Sequence, residues 1–329
     1  MLCLKEWPSA VAASAALAIT CVISGPAAQA QQPPAAGGQL TLIVGFGAGG
    51  SADSIARIVG NKLGEKLGQK VVIENRPGAG ANLAARAVIA APADGNTLLV
   101  TTAALPINNT LYKNKGFEMA DLQAVSICAT TPETIAVNKD NPAKDLKQFI
   151  ELNKGKRTTY STAGVGTGSH IVADYFFKTI AKMDVAHVPH KSGPDATNAA
   201  LGGHVDFISS SLSGFTAQIN AGALTGIAIA TEKRFPAVPS VPTYAEQGFT
   251  GIVKSSWAGF FASSKAPAAV IERQAEAIAA ILREKDVNER LVAIGFAPMS
   301  GTKAESTEFF KKELEDWGTM VRTLGLSIE

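Results

Sequence analysis

Twice along this chain a short apolar strand runs into a glycine-rich turn and straight on into a helix. Residues 40–44 lead through Gly45-Phe46-Gly47-Ala48-Gly49-Gly50 to a helix at about 52–67. Residues 158–161 lead through Thr162-Ala163-Gly164-Val165-Gly166-Thr167-Gly168 to a helix at about 169–181. A strand that feeds a helix belongs to a parallel sheet, because parallel neighbours need a long crossover, and the helix supplies it. Hydrophobic periodicity extends each unit. The first continues with a strand at 71–74, a helix at 82–90 and a strand at 97–101. The second is preceded by a helix at 145–153 and continues with strand 185–188, helix 194–201 and strand 205–209. A strand at 224–230, a proline-rich stretch at 235–242, a strand at 257–262 and helices near 267–284, 287–294 and 302–324 complete the chain. The last helices are expected to return to the first unit. A chain of 329 residues exceeds what one core usually organises, so two α/β units are expected.

Residues 1–30 are of another kind. Lys5 precedes an apolar stretch at 10–23, and Ala28-Gln29-Ala30 offers the small residues of a cleavage site, which is the layout of a secretory signal cut near Ala30. The apolar stretch falls short of the roughly 20 residues that a membrane span needs. Residues 31–39 then read as a flexible start to an exported chain. Cys3 and Cys21 fall inside the leader, so Cys128 stands alone in an apolar setting and is expected in the core. Thirty basic against 28 acidic residues leave a net charge of +2, without the basic stripe that nucleic acid would require. His170, His187, His190 and His204 lie close together in sequence, but their spacing matches no zinc pattern, and neither metal nor cofactor is expected.

The two turns carry the chemistry. Glycines let backbone N–H groups approach a ligand, and the helix behind adds the positive end of its dipole, so Phe46, Ala48, Gly49, Gly50, Ser51 and Asp53 form a candidate anion loop. The facing candidates are Thr162, Ala163, Gly164, Thr167, Ser169 and His170, with Ser169 as the expected helix cap. Thr102, His190, Ser209 and Ser210 sit at other strand ends, where open α/β sheets hold their ligands. Gly45, Gly47 and Gly50 also satisfy G-x-G-x-x-G, with Glu74 ending the next strand, so a dinucleotide-dependent enzyme competes. Against it, Asp53 in the first helical turn would lie near a pyrophosphate, and an exported protein meets little NAD. The remaining reading of each turn is a plain helix start. No nucleophile elbow, triad or carboxylate pair is present in the sequence, and no catalytic residue is assigned.

Ordered motifs over the mature chain resemble the Bug family, the extracytoplasmic receptors of tripartite tricarboxylate transporters. They are Val44 to Asp53 as quoted, Glu74-Asn75-Arg76-Pro77-Gly78-Ala79-Gly80, Ala93-Asp94-Gly95-Asn96-Thr97, His187-Val188-Pro189-His190-Lys191, Leu201-Gly202-Gly203-His204-Val205-Asp206, Arg234-Phe235-Pro236-Ala237-Val238-Pro239 and Ser256-Trp257. The resemblance implies a two-lobe Venus flytrap of periplasmic-binding-protein type II, with crossover strands at the hinge and a first lobe completed by the C-terminal helices. It also implies that one ligand carboxylate sits at the loop 46–53, partly through water, opposite 161–170. Neither loop contains Lys or Arg, so backbone N–H groups, hydroxyls and water would meet the charge.

Three departures bear on specificity. Gly45 stands where the family commonly has Pro, His190-Lys191-Ser192-Gly193 where Tyr-Lys-Gly is usual, and Ser209-Ser210-Ser211 where an Asp often occurs. Without that acid the expected ligand is a mono- or dicarboxylate lacking an amine, aromatic acids included. The expected lobes are 40–136 plus 251–329, and 137–250. The whole reads as a monomeric periplasmic solute-binding protein, not an enzyme, that serves a membrane transporter; a receptor that reports to a sensor kinase is the alternative.

Overall fold

A computed structural model describes residues 38–329, so the expected leader at 1–30 and the stretch 31–37 lie outside the described residues. The first lobe rests on β1 (Gln39–Val44), β2 (Lys70–Asn75) and β3 (Thr97–Thr102), parallel in the order β2-β1-β3. Helix α1 (Ser51–Ile55) passes through a π-wound turn (Ala56–Gly60) into α2 (Asn61–Leu67), forming the crossover from β1 to β2. Its Ile55, Val59 and Leu63 recur every fourth residue and so share one face, which buries against Leu40, Leu42 and Leu98 of the sheet. Helix α3 (Asn82–Ala90) makes the next crossover, and α4 (Ala104–Leu111) follows β3.

The element that organises the molecule is β4 (Leu122–Asn138), 17 residues long where strands usually have about 5–6. Between Leu122 and Pro132 it pairs antiparallel with β9 (Ser255–Ser263), which itself lies against β3. From Glu133 onward it pairs with β7 (Phe207–Ser211) and β8 (Leu224–Ile229). A single strand therefore belongs to both lobes and carries the chain across. The return crossing lies beside it: Glu133 N donates to Lys254 O at 3.1 Å, just before β9. These two adjacent crossings form the hinge of a two-lobe α/β fold.

The second lobe holds α5 (Leu146–Leu152), β5 (Thr158–Thr162), α6 (Gly168–Asp174) with its π-wound extension Tyr175–Ile180, β6 (Val185–Pro189), α7 (Gly193–Leu201) and α8 (Thr216–Asn220). Strand β5 runs parallel to both β6 and β7. Phe149, Phe176, Phe177 and Phe207 fill its core with edge-on and tilted rings, the arrangement that aromatic quadrupoles favour.

The chain ends with α9 (Ala268–Leu282), α10 (Lys285–Ala293), the short β10 (Ala297–Pro298) and α11 (Lys303–Leu324). Ile271, Ile278 and Leu282 of α9 join the core under β1. Helix α11 places Phe310, Trp317 and Val321 against Trp257 and Phe261, and also against Ile171 and Val172 of α6. The indole N–H groups of Trp257 and Trp317 both donate to Glu313, at 2.8 and 2.7 Å, so two rings share one half-buried acceptor. Cys128 is fully buried, and burial pushes its thiol up to about 12.

Two readings of the sequence need correction. Strand β7 spans Phe207–Ser211 rather than 205–209, because Asp206 turns its carboxylate back to accept from Thr159 N and Oγ1 and the ladder with β4 begins beyond it. The serines at 209–211 are thus inside the strand and not in a loop after it. The resemblance implies crossover strands, but neither the crossover strand β4 nor helix α4 is placed by the periodicity of the sequence. No helix among the described residues is long and apolar enough to cross a membrane.

Candidate functional site

The carboxyl ends of β1, β3, β5 and β7 converge between the lobes. After β1 the chain presses close to α3: a Cβ added at Gly45 would lie 2.3 Å from that of Ala81, which only glycine avoids. Gly49 takes the left-handed conformation, φ +78°, and turns its N–H onto Asp53 Oδ2 at 2.9 Å. The remaining acceptor capacity of Asp53 goes to Arg57 Nε and Nη2, at 2.8 and 3.1 Å, and to Asn75 Nδ2 at 3.0 Å. Burial pushes the Asp53 carboxyl up, yet the bonds from Arg57, Gly49 and Asn75 together outweigh it and hold the group below its usual range. Asp53 is only 1% exposed, and its bonds all run within its own lobe. It braces the loop from behind.

On the facing lobe the cap of α6 is Thr167, not the expected Ser169. The helix starts one residue early, leaving Thr167 extended, and its Oγ1 accepts from His170 N at 3.3 Å. Ser169 lies in the first turn with its Oγ 3.1 Å from that of Thr167. Thr162 Oγ1 is tied to Gly164 and lies 2.6 Å from His187 Nε2. Ser209 donates to the Ser169 carbonyl at 2.9 Å, fixing that turn against the sheet.

Between these loops lies a narrow cavity. Phe46, Gly50, Ser51 and Thr102 line it from the first lobe, and Ala163, Thr167, Ser169 and Ser210 from the second. The sequence reading had not singled out the other lining residues: Ala52, Gly168, Gly193, Ser211, Gly214 and Ser256. Ala52, Gly168, Gly193, Ser211 and Ser256 stand within the quoted motifs without being candidates, and Gly214 carries no local signal. The lining contains no Lys, Arg, His, Asp or Glu. Its donors are hydroxyls and the first-turn amides of α1 and α6, which have no partner inside their own helices. Such a wall solvates an anion through dipoles fixed in advance. Contacts between the lobes close it: Ser51 Oγ lies 2.6 Å from Ser213 Oγ, and Gly47 N donates to Lys191 O at 3.4 Å.

A wider cleft of about 380 Å³ adjoins the cavity and shares Phe46 and Ala163 with it. Gly164, His190, Lys191 and Tyr112 line this outer space, and His190 Nε2 has no partner among the described residues. Ala48 and Gly49 are exposed and line neither space. Asp53, Thr162, His170 and Ser209 stand behind the walls rather than in them. His170 stacks on His187 at 4.3 Å, and burial, followed by the neighbouring His170, depresses His187 to about 3. Among the described residues no cluster of three or more His, Cys, Asp or Glu is placed to hold a metal ion.

Comparison with known proteins identifies the family. Residues 55–326 match the family described as the tripartite tricarboxylate transporter family receptor. A UPF0065 protein from the tcbD-tcbE intergenic region of Pseudomonas sp. (strain P51) is 31% identical over 287 residues, 86% of this chain and 85% of its own. The periplasmic binding protein BugD superposes with a TM-score of 0.84 at 26% identity, covering 89% of this chain and 99% of that one. Rpa4515 of R. palustris, solved with adipate, gives 0.84 at 28% identity, with coverage of 88% and 98%. MatC of Rhodopseudomonas palustris, solved with malate, gives 0.80 at 27% identity, with coverage of 86% and 99%. The chain belongs to the receptor family of the tripartite tricarboxylate transporters, a family of periplasmic solute-binding proteins that includes the Bug proteins.

Proposed function

We propose that this chain captures a small mono- or dicarboxylate without an amine, aromatic acids included, in the cavity between its lobes and delivers it to a membrane transporter. One observation carries the reading: both lobes supply hydroxyl and amide donors to a cavity whose lining contains no charged side chain. A carboxylate held there gains several charge-assisted hydrogen bonds. The adipate and malate bound to two similar proteins support the same class. The site residues of this reading are Phe46, Gly50, Ser51, Thr102, Ala163, Thr167, Ser169 and Ser210, with His190 at the outer end.

The lobes that close would be 40–136 plus 251–329, and 137–250, in a periplasmic monomer cut near Ala30. Ligand binding across both lobes favours the closed form, which is the state a transporter can recognise. A dinucleotide fits the first loop poorly, since a Cβ at Gly47 would already lie 2.9 Å from that of Ser192 on the other lobe.

The test is a thermal-shift screen of the mature protein against adipate, malate, benzoate, citrate, amino acids and NAD, followed by calorimetry on any hit. A ligand that binds only the folded state raises the melting temperature. A shift with a carboxylate class is expected; a shift with NAD alone, or with amine-bearing acids alone, would overturn the reading.

A further inference from the structure

Glu133 lies on β4 at the point where the strand passes from one lobe to the other. Its N–H donates to Lys254 O on the returning strand, and its carbonyl accepts from Ala230 N at 2.9 Å. The residue is 1% exposed. Its carboxyl sits immediately behind the cavity wall: Oε1 lies 3.4 Å from Ser211 Oγ and would be 2.4 Å from a Cβ placed on Gly168. Ser211 and Gly168 both line the cavity. The second oxygen, Oε2, is buried and has no hydrogen-bond partner among the described residues.

Among the described residues no salt bridge reaches this carboxyl. On the returning crossing Lys254 holds its ammonium 5.1 Å over the Trp317 ring and 3.9 Å from Asp316. On α6, His170 and Asp174 face one another at 3.5 Å. On α11, Glu313 accepts from the two indoles. Tyr244, beyond β8, keeps a buried hydroxyl without a partner among the described residues. No basic side chain among the described residues forms an ion pair with Glu133, and burial pushes its carboxyl up to about 8. A buried acid with an orphan oxygen is therefore set against the wall of a cavity suited to an anion.

We propose that Glu133 couples ligand capture to a proton: the cavity holds a carboxylate while the Glu133 carboxyl is neutral and releases it when that carboxyl ionises. This inference rests on the carboxylate reading above. The physical cause is like-charge repulsion across a dry wall one residue thick, where little water screens it. The linkage has a definite sign. A bound anion favours the protonated acid, so Glu133 loses its proton at higher pH in the complex than in the free protein. Below both points affinity is constant; between them binding takes up a proton and affinity falls about tenfold per pH unit. The hinge position gives the charge a second effect, because ionised Glu133 seeks water that only the open form can supply.

The experiment is calorimetry of the mature protein with adipate and with malate from about pH 6 to about pH 9.5, in buffers of different ionisation heats. For wild type we expect affinity to fall at least roughly tenfold over the upper part of that range, with proton uptake approaching one per site. For Glu133→Gln, a neutral isostere, we expect a flat profile and no uptake. The proton count on wild type alone decides the matter if the variant folds poorly. Binding without proton exchange, a slope kept in Glu133→Gln, or affinity that rises with pH would each overturn the proposal while leaving the carboxylate reading intact. If neither probe binds at about pH 6, the same titration is run with benzoate, and failure of all three carboxylates overturns that reading and this inference with it.

Discussion

The side-chain amide of Asn75 lies 3.0 Å from Asp53 Oδ1, and the same nitrogen donates to the Phe46 carbonyl at 2.9 Å. The end of β2 thus clamps both the glycine-rich loop and the helix that follows it. Two residues from separate sequence motifs meet behind the loop, where they set its shape and leave its front face free to bind.

Replacing Asp53 should therefore act on the scaffold first. Asp53→Ala strands Gly49 N, Arg57 and Asn75 without their acceptor, and a stability loss of about 2–4 kcal/mol is expected in urea titrations at pH 7. Because the folded Asp53 carboxyl is held low, its contribution is present above the unfolded carboxylate range and lost as pH falls through the folded value. The gap between wild type and Asp53→Asn should accordingly narrow toward acid pH; a gap that widens there would refute the bracing role.

Ser210 is the cleaner probe of binding. Ser210 lines the cavity, and its hydroxyl makes no hydrogen bond among the described residues. Ser210→Ala should weaken carboxylate binding roughly 5–10-fold in calorimetry, with stability changed by less than about 1 kcal/mol. Ser209→Ala removes the bond to the Ser169 carbonyl and should instead lower the melting temperature.

The local units of the fold were legible because their signals are local. The glycine turns and the fourfold spacing of Ile55, Val59 and Leu63 need no tertiary context. Strand β4 was not, since it is buried on both faces and so lacks alternation, and it contains Pro132, which argues against a strand. That proline marks the changeover itself, lying opposite Ser255 where β4 leaves β9. The serine and threonine walls could be guessed from strand ends. Glu133 could not, because an acid set between threonines and a proline declares nothing until packing shows how completely it is buried.

The second lobe should be acid-sensitive through His187, which lies between Tyr160 and His170 at 4.9 and 4.3 Å with Nε2 against Thr162. Folded, it stays neutral down to about 3; unfolded, it takes a proton near 6.5. The unfolded state therefore binds the extra proton between those values, and stability falls as pH drops through that window, by up to about 1.4 kcal/mol per unit. His187→Phe keeps the stack and loses the Thr162 bond. It should be less stable than wild type at pH 7 but lose less on going to about pH 4.5; an unchanged slope would place the acid sensitivity elsewhere.

Glu133 carries the opposite sign. Its folded carboxyl stays protonated to about 8, whereas the unfolded chain ionises near 4.3. Between these values the native state binds more protons, so stability falls as pH rises, and the acid is a net cost at neutral pH. Glu133→Gln removes the titration while keeping the shape. In the absence of ligand it should be more stable than wild type by on the order of a few kcal/mol at about pH 8, and nearly equal to it at about pH 4.5. Urea midpoints at those two pH values check this directly. Equal stability at both would mean that Glu133 is solvated in the free protein, through opening at the hinge, and that its burial belongs to the closed form alone.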